Sequence, residues 1–177
     1  MRIIYMGTPE FAVPALNSII DAGHDVELVV TQPDRRGNRG KVVFSPVKAC
    51  ALNRGIKVSQ PDNIKNDSDF IQELDALKPD LIVVAAFGQI LPKEVLDVPV
   101  CINIHGSILP EYRGAAPIQY AILDGKDKTG VTIMQMERGL DTGDIISVSE
   151  VEVGRKDIIS LSDELAECGA KLVINTI

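Results

Sequence analysis

The sequence predicts an α/β fold: a Rossmann-like doubly wound, mostly parallel sheet with an antiparallel strand pair in its second half. Three observations predict it. Short apolar runs alternate with helix-period segments through the first half of the chain, as successive strand-helix-strand units require. One run, Leu81-Ile82-Val83-Val84-Ala85-Ala86, is apolar at every position, the pattern of a strand covered on both faces. Two later runs, 130–136 and 145–153, are joined by a Gly-Leu-Asp-Thr-Gly-Asp loop, a connection short enough to favour antiparallel pairing.

Taken in order, residues 3–6 read as a buried strand and Gly7-Thr8-Pro9 as a turn. A helix follows with Phe11, Leu16, Ile19 and Ile20 on one face, and Gly23 ends it. Residues 26–31 form a second strand. Ser45-Pro46 has the form of an N-cap with proline at the first helical position, and Gly55 closes that helix before a short strand at 56–58. Ser68 caps a third helix reaching Leu77, ahead of the 81–86 strand. A strand pattern starting at Cys101 ends in Asn103 and His105, and Pro117 opens a short helix to Leu123. Between Val148 and Val151 the apolar alternation changes phase, so a bulge or break is expected there. The final helix, from about Ser160, puts Leu161, Leu165, Cys168, Leu172 and Thr176 on one stripe. It stops at Ile177 with no polar tail, as in a chain cut rather than finished.

Composition bounds the rest. With 177 residues, 45% of them hydrophobic, residues 1–177 suffice for one domain with a full core. No apolar run is long enough to span a bilayer, and Met1-Arg2-Ile3-Ile4-Tyr5-Met6 is too short for a signal peptide's apolar region, so a cytoplasmic location without membrane contact is expected. Cys50, Cys101 and Cys168 are far apart and lack metal-ligand spacing, so core thiols and no metal are expected. A formal net charge of −7 excludes a surface that coats nucleic acid generally; any such contact must be local.

Asn103 and His105, two residues apart on a strand, leave it on the same side. In a doubly wound sheet ligands bind outside the carboxyl ends of the strands. The segments Phe87-Gly88-Gln89-Ile90-Leu91, Gly106-Ser107-Ile108-Leu109-Pro110 and Gly139-Leu140-Asp141-Thr142-Gly143-Asp144 should therefore converge on one crevice, each with glycine for close backbone approach. The first turn lacks Gly-x-Gly-x-x-Gly spacing, so a flat heterocycle held by backbone edges is expected rather than a dinucleotide. Asn103, His105 and Asp141 then place a carboxamide, an imidazole and a carboxylate in one cleft. The carboxylate orients the ring and supports its charged form, while imidazolium and amide donate toward a developing oxyanion, which suits acyl transfer to an external nucleophile. No covalent nucleophile is set: Ser107 follows His105 too closely and no Gly-x-Ser-x-Gly elbow is present. The plainer alternative is that Asn103 and His105 are satisfied core polar groups; His24 sits in a turn and reads as solvated.

The run Asn103-Ile104-His105-Gly106-Ser107-Ile108-Leu109-Pro110-Glu111-Tyr112-Arg113-Gly114-Ala115-Ala116-Pro117-Ile118, followed by Asp141-Thr142-Gly143-Asp144, closely resembles the folate-dependent formyltransferases. Gly7-Thr8-Pro9-Glu10-Phe11 and Gln32-Pro33-Asp34-Arg35 narrow the resemblance to the branch acting on methionyl-tRNA, and the likeness covers essentially the whole chain. It implies the formyltransferase fold and transfer of a formyl group from 10-formyltetrahydrofolate to the α-amino group of methionine on initiator tRNA, in translation initiation. By position, Asn103, His105 and Asp141 match the family's catalytic trio. Phe87, Gly88, Gln89, Ile90, Leu91, Ser107, Ile108, Leu109, Pro110, Gly139, Leu140 and Asp144 match its folate-binding residues, with Gln89, Ile90 and Leu91 at the edge that holds the pterin. Phe11 matches the residue beside the substrate methionine.

Between residues 35 and 41 lie Arg35, Arg36, Arg39 and Lys41 with no acid among them, a cationic loop suited to acceptor-stem phosphates. The resemblance implies that this loop contacts tRNA; the plainer alternative is a solvated surface loop. It also implies a second, barrel-like carboxy-terminal domain that helps hold the tRNA and would begin where this chain ends, so weak tRNA binding by these residues alone is expected, as is a monomer. Two other readings stay open. A formyltransferase acting on a sugar-nucleotide amine or glycinamide ribonucleotide would keep the trio without needing the loop, and a non-catalytic folate-binding module would bind the donor without consuming it.

Overall fold

Alternate residues of the central strands face opposite layers of helix, and both sets are apolar, so the sheet must be covered on each side. A computed structural model of the chain describes residues 1–36, 42–97 and 100–177. Its strands are β1 (Arg2–Gly7), β2 (Asp25–Val30), β3 (Arg35–Arg36), β4 (Val42–Val43), β5 (Val58–Ser59), β6 (Leu81–Ala85), β7 (Val100–His105), β8 (Lys128–Gln135) and β9 (Ile145–Glu152). Its helices are α1 (Val13–Asp21), α2 (Pro46–Asn53), α3 (Ser68–Leu77), α4 (Lys93–Leu96), α5 (Pro117–Leu123) and α6 (Ile158–Thr176), with a 3-10 turn at Glu10–Ala12.

Among the described residues seven strands form one sheet in the order β5-β2-β1-β6-β7-β8-β9. The pairs from β5 to β7 are parallel, and β8 runs antiparallel to both β7 and β9. The expected architecture is therefore present. The chain winds outward from β1 through β2 to β5, then returns to lay β6 on the other side of β1. That reversal makes the β1/β6 boundary the switch point beside which a crevice opens.

One face carries Ile3, Tyr5, Val83, Ile102, Ile104, Val131 and Ile133 against Leu16 and Ile19 of α1, Val47 of α2, and Leu161, Leu165 and Val173 of α6. The other carries Ile4, Met6, Leu28, Ile82, Val84 and Cys101 against Phe70 and Leu74 of α3 and Val95 of α4. At β7 this second face passes from helical cover to loops: Asp141 and Tyr112 are what meet Asn103 and His105. Among the described residues no helix is long and apolar enough to cross a membrane.

Local signals place several ends where expected. Ser45 Oγ accepts from the Lys48 amide at 3.2 Å, and α5 opens on Pro117 and runs to Leu123. Other expectations need correction. The cap of α3 is Asp67, not Ser68; its carboxylate accepts from the Phe70 amide at 2.9 Å, favoured there by charge as well as geometry. The short strand begins at Val58 rather than Ile56, because only there does it reach β2, pairing Val29 with Val58. The buried stripe of α6 is Leu161, Leu165, Gly169 and Val173, flanked by Ala166 and Ala170, with Cys168 and Leu172 half-buried beside it. The helix turns that way because Gly169 admits the sheet: a Cβ there would sit 2.8 Å from Ile104 Cγ2.

The irregularity expected between Val148 and Val151 lies elsewhere. The register shift falls where Ile133 and Met134 meet Ser147 and Ile145, leaving Ile146 as the extra residue. Past it β9 alternates without a break. Ser147, Val151 and Val153 share the covered side, where Ser147 Oγ pairs with Thr176 Oγ1 of α6 at 2.8 Å, while Val148 is exposed. Hydrophobicity misreported the facing because serine stands on the covered side and valine on the open one.

The strands β3 and β4 pair only with each other, Arg35 with Val43 and Arg36 with Val42. This ribbon is anchored at its base by a half-buried network. Lys48 Nζ donates to Asp34 Oδ2 at 2.5 Å and to Gln60 Oε1 at 2.7 Å, and Gln60 Nε2 donates to Asp34 Oδ1 at 3.0 Å. Lys48 Nζ also lies 4.1 Å from the Phe44 ring centroid.

Two outcomes follow from these contacts. Leu165→Ala should cost about 2–5 kcal/mol in urea unfolding, because Leu165 is fully buried between α6 and the sheet. The hydrogen bond from Lys48, then that from Gln60, hold the Asp34 carboxyl below its ordinary value. Asp34 thus contributes stability that is complete above the unfolded carboxylate pKa, roughly 4, and disappears as pH falls through the lower native value. The stability gap between the wild type and Asp34→Asn should be widest near neutrality and close on acidification, read from urea midpoints across a pH series.

Candidate active site

Because Ile102 and Ile104 point into the layer under α6, Asn103 and His105 project from the opposite face of β7. A cavity of about 570 Å³ opens over them. The segment after β6 supplies Ala86, Phe87, Gly88, Gln89, Ile90 and Leu91, and the segment after β8 supplies Met136, Glu137, Arg138, Gly139, Leu140 and Asp141. Residues 114–118, leading into α5, form a third wall, and Phe11 enters from the turn after β1. Two of the three segments expected to converge do so.

The third reaches the cavity at one residue: of residues 106–110 only Gly106 lines it. Thr132, fully buried on β8, explains this: its Oγ1 donates to Ser107 O at 2.7 Å and accepts from Leu109 N at 3.0 Å. Ser107 Oγ in turn donates to Glu111 O at 2.5 Å. The Thr132 contacts pin the segment to β8. Asp144 is also off the lining; its carbonyl accepts from Gln135 N at 2.8 Å and closes the loop back onto β8.

Asn103, His105 and Asp141 do meet. Asn103 Nδ2 lies 3.4 Å from Asp141 Oδ1, and His105 Nδ1 lies 3.6 Å from Asp141 Oδ2. Both contacts are longer than a well-formed hydrogen bond, so the three groups converge without saturating one another. The other ring nitrogen, Nε2, is 2.9 Å from the Tyr112 carbonyl, which only accepts, so Nε2 carries a proton and donates. Asp141 is set from the far side by the Gly114 amide, which donates to Oδ2 at 2.8 Å. Its backbone is left-handed, φ +48°, a conformation that aspartate tolerates better than most residues.

The two partners from the 112–116 loop, the Tyr112 carbonyl and the Gly114 amide, were not singled out by sequence reasoning. Gly114 beside the helix-opening Pro117 marks a loop there, but only the folded backbone, left-handed at Tyr112, Gly114 and Ala116, aims those groups. Met136, Glu137, Arg138 and residues 115–118 of the lining were likewise unanticipated.

Gln89 lines the cavity, yet its side chain is committed elsewhere: Oε1 accepts from Ile64 N at 2.9 Å and Nε2 donates to Pro61 O at 3.0 Å. Its neighbours Phe87, Gly88, Ile90 and Leu91 line the cavity with it. Phe11 and Ile118 meet over Gly106. Arg35 is exposed at the foot of the ribbon and donates from Nη2 to Gln32 Oε1 at 2.9 Å, and Arg36 belongs to β3. Arg39 and Lys41 lie outside the described residues. Among the described residues no group of three or more His, Cys, Asp or Glu could hold a metal ion.

Comparison with known proteins agrees with this geometry. The formyl transferase family matches residues 1–177. A methionyl-tRNA formyltransferase of Caldanaerobacter subterraneus is 52% identical over 181 residues, covering 100% of this chain and 59% of the relative. That of Bacillus subtilis is 54% identical over 180 residues, covering 99% and 56%. The chain thus spans somewhat more than half the length of these relatives. Among solved structures, glycinamide ribonucleotide transformylase 1 from Symbiobacterium toebii superposes with a TM-score of 0.84 at 19% identity, covering 100% of this chain and 85% of that one. A phosphoribosylglycinamide formyltransferase from Bacillus halodurans gives 0.77 at 21%, covering 98% and 95%. These two share the fold. With a family match along its whole length and relatives half identical throughout, this chain belongs to the formyl transferase family.

Proposed function

We propose that the chain transfers a formyl group from 10-formyltetrahydrofolate to the α-amino group of methionine carried by initiator tRNA. The observation that carries this reading is the convergence of Asn103, His105 and Asp141 on one cavity, in a chain half identical to methionyl-tRNA formyltransferases. The cavity suits the donor. Its volume of about 570 Å³ is that of a small-molecule site, with apolar walls from Phe87, Leu91 and Met136 around the polar side chains of Asn103, His105 and Asp141. The main chain of Gln89, Ile90 and Leu91 would hold the edge of the heterocycle, facing Gly139 and Leu140 across the cavity. Ser107, Ile108, Leu109 and Pro110, pinned to β8 next to Gly106, would complete the folate site.

Bound there, the donor supplies an electrophilic formyl carbon attached to a nitrogen that can leave. The Asn103 amide and the protonated His105 ring donate toward the oxygen as negative charge develops on it. The Tyr112 carbonyl fixes the ring through Nε2–H, which leaves Nδ1–H to be shared with Asp141 or given to that oxygen. Asp141, between the two donors, holds the imidazolium and relays the proton that the attacking amine loses, through water, to the leaving nitrogen, so that the oxyanion collapses, the old C–N bond breaks and tetrahydrofolate departs with an N–H. Phe11 and Ile118 offer an apolar seat for a methionine side chain next to Gly106. Arg35, with Arg36, Arg39 and Lys41 of the same loop, supplies charge for acceptor-stem phosphates.

Asn103→Ala or His105→Ala should lower the formylation rate about a hundredfold to a thousandfold with both substrates saturating, as loss of an oxyanion donor does. Near-normal turnover in either variant removes that residue from the mechanism. Incubating the chain with donor and, separately, methionyl-tRNA, glycinamide ribonucleotide or an amino-sugar nucleotide tests the acceptor: formylation of methionyl-tRNA is expected, and formylation of either small amine instead overturns the assignment.

A further inference from the structure

The carboxamide of Gln32 joins two parts of the molecule that the proposed reaction uses separately. Its Nε2 donates to Phe87 O at 3.2 Å, where the cavity rim of residues 87–91 begins, and its Oε1 accepts from Arg35 Nη2 at 2.9 Å, where the ribbon begins. Its main chain is held by Gln60 Nε2 and Thr31 Oγ1 on the carbonyl and, on the amide, by Thr8 Oγ1, which itself donates to Phe87 O at 3.1 Å. The side chain is the part of Gln32 that reaches Arg35 as well as the rim. The rim accommodates it closely: Gly88 has φ +84°, and a Cβ there would stand 2.0 Å from Gln32 Nε2.

The rim is thus held by two amides together with the Thr8 hydroxyl, which shares Phe87 O with Gln32. Gln89 ties it to Ile64 and Pro61, well inside the fold, whereas Gln32 ties it to an exposed guanidinium. A cation on the amide oxygen polarises the amide and strengthens its N–H as a donor, so the Arg35 contact reinforces the bond to Phe87. A phosphate is a stronger partner for guanidinium than a neutral amide and would draw Arg35 away.

We propose that Gln32 is a positioning residue for the 87–91 rim, and that Arg35 acts on the cavity through it. Anion binding at the ribbon and ligand binding against the rim are thereby coupled. The ligand part of this inference rests on the function proposed above.

The test is a double-mutant cycle on the chain, read in two ways. Titration with tetrahydrofolate should show Gln32→Met binding about fivefold more weakly, the worth of one net hydrogen bond. Arg35→Ala should weaken binding measurably in the wild type and have no effect in the Gln32→Met background. Gln32→Glu keeps an acceptor for Arg35 but cannot donate to Phe87 O, and should weaken binding at least as much as Gln32→Met. Amide exchange across residues 87–91, in the ligand-free chain, should accelerate in both Gln32 variants, and in Arg35→Ala only while Gln32 is present. An Arg35→Ala effect of equal size in both backgrounds, or wild-type exchange in Gln32→Glu, overturns the inference. A wild type that shows the exchange pattern but does not bind tetrahydrofolate counts against the proposed function and leaves the positioning role supported.

Discussion

Asn103 and His105 stand on the face of an otherwise apolar sheet, and the arrangement around them depends on Asp141 returning to meet both. His105 is buried and Asn103 half-buried, and Asp141 reaches both from a left-handed backbone, φ +48°. The same contacts leave the trio under-bonded at 3.4 and 3.6 Å, so its donors remain available to a ligand.

That availability follows from how the two faces of the sheet are finished. Under α6 the sheet is sealed, with Gly169 allowing the helix to lie against Ile104. On the opposite face α3 and α4 cover β1, β2, β6 and the start of β7, and loops take over at Asn103. Loops bring main-chain donors and acceptors that helices consume internally. Hence the Tyr112 carbonyl and the Gly114 amide can act on His105 and Asp141, and the 87–91 rim can line the cavity.

Features set by neighbours in sequence were legible. Ser45 and Pro46 start α2 and Pro117 starts α5 because capping and the proline ring act within one turn. The trio was legible for a related reason: strand alternation puts Asn103 and His105 on one side, and the rule for doubly wound sheets brings later loops to the same crevice. What was not legible depended on residues far along the chain. Thr132, 25 positions beyond Ser107, pins the 107–110 segment to β8. The stripe of α6 and the facing of β9 were misjudged because contact between α6 and the sheet, not hydrophobicity alone, decides which side is covered.

By itself the sequence determined the class of fold, the order of its elements, and the three side chains whose chemistry suits acyl transfer, since each rests on local periodicity or on motif content. Tertiary structure decided which backbone groups orient that trio, which residues of the glycine-bearing segments line the cavity, and that Gln32 links the ribbon to the rim. The physical reason is directional. A hydrogen bond needs its donor and acceptor aimed at one another to within a few tenths of an ångström, and that aim belongs to the folded backbone rather than to any residue's identity.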